Sequence, residues 1–262
     1  MGPLLGIFVA LGTILLGNLL EGGHISSIIG GPAALIVLGG TIGATMVQFP
    51  LDTVKEAVGA VGGLFKKNGG DPQKLVDEIV EYANRARREG ILGLEKLAPT
   101  ASDPFLSKAL MMAIDGADSN AIRETMEITI MQEEEHGENL AKVYETAGGY
   151  SPTIGIIGAV LGLIHVMSNL SDINAVGTGI AAAFVATIYG VAVANILFLP
   201  IGGRMKLALK ERVNQKNMML TGVLAIQEGV NPKLVRDRLS EFVPSHGGKK
   251  GAASGAAAPA AT

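Results

Sequence analysis

The chain is 262 residues long, with a formal net charge of -3, 48% apolar residues and only 17% charged residues. Charged residues usually make up about 25% of a water-soluble domain, and a mean hydropathy of +0.39 points the same way. The absence of cysteine excludes a disulfide scaffold, a thiolate nucleophile and a cysteine-ligated metal or iron–sulfur site. The mild acidity argues against a nucleic-acid binder, whose domains are typically basic.

The charges are unevenly placed. Met1–Leu20, Gly22–Leu51, Thr146–Ser171 and Ile173–Gly203 contain no Asp, Glu, Lys or Arg. A bilayer-spanning helix needs roughly 20 predominantly apolar residues. The first segment is barely long enough and the other three are ample. Four spans are therefore predicted, near Pro3–Leu20, Ser27–Phe49, Pro152–Leu170 and Ala175–Ile201. Any one of them alone is compatible with a buried core helix; all of them together, bracketed by charged stretches, are not. The first span has no Lys or Arg ahead of it and another apolar segment follows at once, so it reads as a retained helix rather than a signal peptide.

Within the second span lie Gly39, Gly40 and Gly43, and within the third Gly155, Gly158 and Gly162. Small residues let transmembrane helices approach closely. These glycines fit packing inside one subunit and an inter-subunit seam equally well.

Between the second and third spans, Asp71-Pro72 is a helix start, with Asp as N-cap and Pro at the first helical position. Leu75, Ile79, Tyr82 and Ala86 then recur on one face. Gly90 interrupts, Ile91–Leu97 resumes and Pro99 stops the helix. Asp103-Pro104 repeats the start signal before Phe105–Ile114. A third helix is expected from about Ser119, through Glu133-Glu134-Glu135, toward Tyr144. After the fourth span, a basic amphipathic helix is predicted over Arg204–Gln227, and Asn231-Pro232 opens a short last helix that ends before Pro244. Residues 245–262 are Gly/Ala/Pro-rich, a composition that cannot bury a core.

The basic residues set the orientation. All 21 lie within Lys55–Lys142 and Arg204–Lys250, and loops rich in Lys and Arg stay cytoplasmic. Residues 52–145 carry 11 basic and 18 acidic side chains, and the tail from Arg204 carries 10 basic and 4 acidic ones. Both face the cytoplasm, as do both termini. The basic tail suits anionic lipid headgroups or the acidic insert. The fold class is thus all-α: a polytopic membrane protein with four transmembrane helices and a helical cytoplasmic domain.

The spans contain no carboxylate or ammonium group, although proton relays and ion paths usually use them. His24 belongs to an outer loop. His165 lies mid-span, where a helix–helix hydrogen bond and an ion-path role are about equally plausible. No Ser–His–Asp arrangement, metal-ligand cluster or phosphate loop stands out, so neither a catalytic site nor a cofactor is expected. If ions pass, a partner supplies the ionisable group.

The stretch Ser151-Pro152-Thr153-Ile154-Gly155-Ile156-Ile157-Gly158-Ala159-Val160-Leu161-Gly162-Leu163-Ile164-His165-Val166-Met167 resembles the third span of the MotA/PomA family of flagellar motor stator subunits. Phe184-Val185-Ala186-Thr187-Ile188-Tyr189-Gly190, with Ala194-Asn195 and Leu199-Pro200, resembles that family's fourth span. Arg87-Arg88-Glu89-Gly90-Ile91-Leu92-Gly93-Leu94-Glu95 resembles its rotor-facing motif. The resemblance covers roughly Met1–Val243. It divides the chain into transmembrane helices 1–2 (residues 3–49), a rotor-facing cytoplasmic insert (52–145), transmembrane helices 3–4 on the ion-path side (152–201), C-terminal cytoplasmic helices (204–243) and the tail (245–262).

The resemblance implies a ring, understood as five copies around two of a MotB-type single-span subunit. That partner's transmembrane Asp carries the ion and its outer domain holds peptidoglycan. It also implies a place in the bacterial inner membrane and contact with the rotor protein FliG. Pro152 and Pro200 match the family's span prolines, which can kink or hinge a helix. Ordinary helix starts and stops are the alternative. Arg87 and Glu95 match the charged pair that engages FliG; from the residues alone they are solvated surface. Sodium-driven members carry Thr where this chain has Ala159, and a methyl group cannot replace the water around sodium. Thr187 matches a hydroxyl found in both kinds. Proton coupling is therefore expected. A sodium-coupled PomA-type stator and a TolQ/ExbB-like energy transducer, which has three spans and a different loop order, are the alternatives. A stand-alone channel would instead conduct without any partner.

Overall fold

The computed structural model describes residues 2–64, 71–168 and 170–243; the tail expected over 245–262 lies outside the described residues. Among the described residues there is no strand, as the all-α reading requires. The helices are α1 (Gly2–Leu20), α2 (Gly31–Ala34), α3 (Gly40–Gln48), α4 (Leu51–Leu64), α5 (Pro72–Glu89), α6 (Pro104–Ile114), α7 (Ser119–Ser168), α8 (Ile173–Ala192), α9 (Leu199–Gln227) and α10 (Pro232–Ser240). A π-helical turn, Leu35–Gly39, joins α2 to α3, and another, Val193–Phe198, joins α8 to α9. Three helical runs are long and apolar enough to cross a membrane: Ile25–Gln48, Ser119–Ser168 and Ile173–Gln227. The apolar stretch described in α1, Leu5–Leu20, is shorter.

The chain forms two compact units, one of residues 1–69 and 124–216, the other of 70–123 and 217–262. The second unit has a small helical core of its own. Asp71 accepts a hydrogen bond from Gln73 N at 3.1 Å, Asp103 from Phe105 N at 2.7 Å and Asn231 from Lys233 N at 3.0 Å, each just ahead of a proline that starts a helix. Such caps are worth about 1 kcal/mol each. Ile79, Leu94, Leu106, Leu110, Val223 and Leu239 are fully buried, and complete burial of such a side chain contributes about 1.5–3 kcal/mol. The buried stripe of α5 is Val76, Ile79, Val80, Tyr82 and Ala83, so Leu75 and Ala86 of the expected face sit at its edges, half-buried. Burial and a hydrogen bond to Glu78 push the Tyr82 phenol well above its ordinary range.

Two expected boundaries differ. Ile91–Leu97 does not resume a helix: it forms a 3-10 turn, Ile91–Leu94, followed by a tight turn, because Gly90 leaves the helix at φ 77°. The helix beginning at Ser119 does not end near Tyr144. It runs on as one 50-residue helix through Pro152. Its central part is anchored rather than broken, with Leu140, Ala141, Val143 and Tyr144 buried against Ala57 of α4 and Met205 of α9.

In the first unit the acidic face of α7 meets the basic start of α9. Lys206 Nζ lies 2.7 Å from a Glu145 carboxylate oxygen and Arg212 Nε 2.5 Å from Glu133, whose other oxygen binds the buried Lys216. These residues of the basic tail thus contact the acidic insert.

Candidate functional site

The third and fourth spans, in α7 and α8, meet along a seam of small residues. A Cβ added at Gly155 would lie 3.0 Å from Ala186 O and 3.1 Å from Gly190 Cα. One at Gly158 would lie 2.9 Å from Ala186 Cβ, and one at Gly162 3.1 Å from Ala183 Cβ. All three glycines of the third span therefore pack within one subunit, the first of the two readings left open above. Gly40 meets Ile154, with a virtual Cβ at 2.8 Å from its Cγ2, whereas nothing lies within 4 Å of such an atom at Gly39 or Gly43.

The closest approach of backbone to backbone among these glycines is at Ser151-Pro152. A Cβ at Gly190 would lie 2.7 Å from Ser151 O, 3.0 Å from Gly155 Cα and 3.2 Å from Pro152 Cα. Here backbone touches backbone. The fully buried Ser151 donates its hydroxyl to Gly190 O at 3.0 Å, which pins the two helices together. Pro152 has no N–H and its ring crowds the carbonyl four residues back; the Gly148-Gly149 pair precedes it, and the hydroxyl of Thr153 donates to Tyr150 O at 2.8 Å. The helix passes through Pro152 instead of starting there.

Pro200 likewise neither starts nor stops the structure. It follows the π turn Val193–Phe198 and is itself the second residue of α9. A π turn and side-chain hydrogen bonds are the usual ways in which a helix in lipid compensates for a proline. Within that π turn, Asn195 Nδ2 donates back to Val191 O at 2.9 Å. Ala159 and Thr187 are half-buried, each next in sequence to a buried seam residue, Gly158 and Ala186. Thr187 Oγ1 donates back to Ala183 O at 3.3 Å. The structure thus joins Pro152 directly to the fourth span and leaves Ala159 and Thr187 on the flanks of the same seam.

At the other end of these spans a cavity of about 410 Å³ is lined by His165, Thr178, Ser27 and Gly30, among others. His165 is exposed toward it rather than packed in the seam. Gly30 N donates to Tyr189 Oη at 3.2 Å, which ties the entry of the second span to the fourth. Sequence reasoning did not single out Ser151 or Gly190. A serine before a proline in an uncharged run was the available signal, but its partner is 39 positions away.

Arg87 and Glu95 belong to the second unit. Both are exposed, Arg87 in the last turn of α5 and Glu95 just after the 3-10 turn. Two glycines shape the segment between them. Gly90 adopts φ 77°, a left-handed conformation that other residues avoid. A Cβ at Gly93 would come within 2.7 Å of Glu89 Cβ. Leu92, between Arg87 and Glu95 in sequence, is 66% exposed. The result is an exposed turn that carries Arg87, Arg88, Glu89 and Glu95 together with the apolar Leu92.

A family model described as the MotA/TolQ/ExbB proton channel family matches residues 98–218, and one described as the motility protein A N-terminal region matches residues 4–90. Motility protein A of Bacillus subtilis is 34% identical over 246 residues, covering 92% of this chain and 90% of that one. Among solved structures, C. jejuni MotAB superposes with a TM-score of 0.90 at 32% identity, over 94% of this chain and 96% of that one. The flagellar MotAB stator complex from Bacillus subtilis superposes with a TM-score of 0.87 at 34% identity, over 94% and 97%. A chain so similar over nearly its whole length, in sequence and in fold, belongs to the motility protein A family of membrane-embedded proteins.

Proposed function

We propose that this chain is the ion-conducting stator subunit of a flagellar motor, forming a ring around a MotB-type single-span partner and converting inward proton flow into torque on the rotor. The observation that carries this reading is the carboxylate-free seam of the third and fourth spans, closed at Ser151-Pro152 against Gly190, in a chain of which 94% matches a chain of each MotAB complex. A path without its own acid requires the acid of a partner, which is how a MotB-type Asp would serve. Pro152 and Pro200 are the positions where the two spans can flex, and Ala159 and Thr187 flank the route. Lacking a hydroxyl at Ala159, the route favours protons over sodium.

Arg87 and Glu95 are the contacts for FliG, and five copies surround two partner chains. The protein sits in the inner membrane with both termini in the cytoplasm. The helix α1 serves as the first span and completes the four: its 19 residues extend about 28 Å, close to the roughly 30 Å hydrocarbon core. The role is force transmission rather than enzymatic catalysis. The match of residues 4–90 to the motility protein A N-terminal model favours a stator over a TolQ/ExbB-like transducer. In a strain lacking other stators, swimming should stop on adding a protonophore and persist without sodium. Swimming that needs sodium and survives the protonophore would refute proton coupling.

A further inference from the structure

The first unit contains a second cavity, of about 290 Å³. Its walls are Gly6, Ile7 and Ala10 of α1, Leu64 at the end of α4, and Ile196 and Ile201 of the fourth span. Among the described residues the only charged side chain lining it is Arg204, the first charge after the uncharged run Ile173–Gly203. Asn195 is its other polar side chain, and the amide nitrogen of that residue is already bonded to Val191 O.

Of the cations of α9, Lys206, Arg212 and Lys216 are bonded to carboxylates of α7, and the exposed Lys210 does not line the cavity. Among the described residues no carboxylate pairs with Arg204, which is exposed at the mouth of this apolar cavity. An apolar slot with a free guanidinium at its rim is complementary to an amphiphile with an anionic head. Guanidinium binds phosphate through paired, charge-assisted hydrogen bonds. Arg204 also lies where the uncharged span gives way to charge, the depth at which a phospholipid phosphate sits.

We propose that this cavity is a binding site for one anionic phospholipid, with an acyl chain between α1 and the Pro200 segment and the phosphate on Arg204. The site rests on the membrane reading above but not on the nature of the coupling ion. By filling the gap beside the π turn Val193–Phe198, the lipid would steady the segment that holds Pro200.

The chain has no tryptophan, so Ile7→Trp places a reporter in the cavity. Brominated phosphatidylglycerol and brominated phosphatidylcholine are titrated into the purified, detergent-solubilised complex with its partner, and the spectrum of the unsubstituted complex is subtracted. Phosphatidylglycerol should quench at about one-fifth the concentration of phosphatidylcholine, the factor expected for one basic side chain. Arg204→Gln should abolish that preference. Phe8→Trp, on the exposed face of α1, should show no preference in either background. If Ile7→Trp does not assemble, Ile201→Trp serves as the reporter. Equal quenching by both lipids, or a preference that survives Arg204→Gln, overturns the proposal. So does a reporter that neither lipid quenches, which would mean that a second copy of the chain covers the cavity. None of these readouts involves motility, so failure here is separable from failure of the stator reading.

Discussion

Gly190→Ala is the sharpest test of the seam. The added methyl would sit 2.7 Å from Ser151 O, about 0.7 Å inside the 3.4 Å at which ordinary contacts begin. The other neighbours, Gly155 Cα and Pro152 Cα, are also backbone, so no side chain can rotate away. The third and fourth spans must part instead. Overpacking of this kind costs about 1–3 kcal/mol. Parting also strains the Ser151–Gly190 hydrogen bond, and interhelical bonds in membranes average about 0.6 kcal/mol. Alanine's better helix propensity returns up to about 1 kcal/mol, so the net loss should be about 1–2 kcal/mol. Thermal unfolding of the purified complex, followed by circular dichroism, should show a lower midpoint, and swimming speed should fall with it. Gly43→Ala is the matched control, because nothing lies within 4 Å of its added Cβ; it should be neutral or slightly stabilising. If Gly190→Ala unfolds at the wild-type midpoint, the close approach of the two spans is not a constraint and the reasoning fails.

Arg87→Glu and Glu95→Lys alter exposed side chains, so stability should change by less than about 0.5 kcal/mol while soft-agar motility drops. Loss of membrane assembly would instead make these residues structural. Gly90→Ala forces a side chain into φ 77°, ψ 171°, a strain of about 1–3 kcal/mol; motility should fall while both charges remain, because the turn that presents them shifts. Pro152→Ala should reduce torque or ion flux, and wild-type swimming in that variant would remove the hinge argument. Lys216→Ala should cost less than the roughly 3–5 kcal/mol typical of a broken buried pair, because Arg212 remains on Glu133. Adding Arg212→Ala should then cost more than Arg212→Ala alone, as a thermal double-mutant cycle would show.

Much of the architecture is legible in the sequence because its physical causes are local. The caps at Asp71, Asp103 and Asn231 each bond a backbone N–H two residues on. An uncharged run is recognisable for the same reason: exclusion of charge from lipid acts on every residue separately. Helix continuity was harder to read. Gly148-Gly149 and Pro152 look like a break, yet α7 passes through them, because packing of Tyr144 and Ala141 on α4 and α9 outweighs local propensity.

The composition, the position of every charge and the run lengths determined by themselves that this chain is helical and lives in a membrane, and the span motifs determined its family. Only the tertiary structure decided what the small residues are for. Gly155, Gly158 and Gly162 face the fourth span of the same chain, and Ser151 reaches Gly190 across 39 positions. It also separated the paired cations of α9 from Arg204, which sequence spacing treats alike. Both decisions depend on which helix faces meet, and that is set by the summed packing of distant residues rather than by any local pattern.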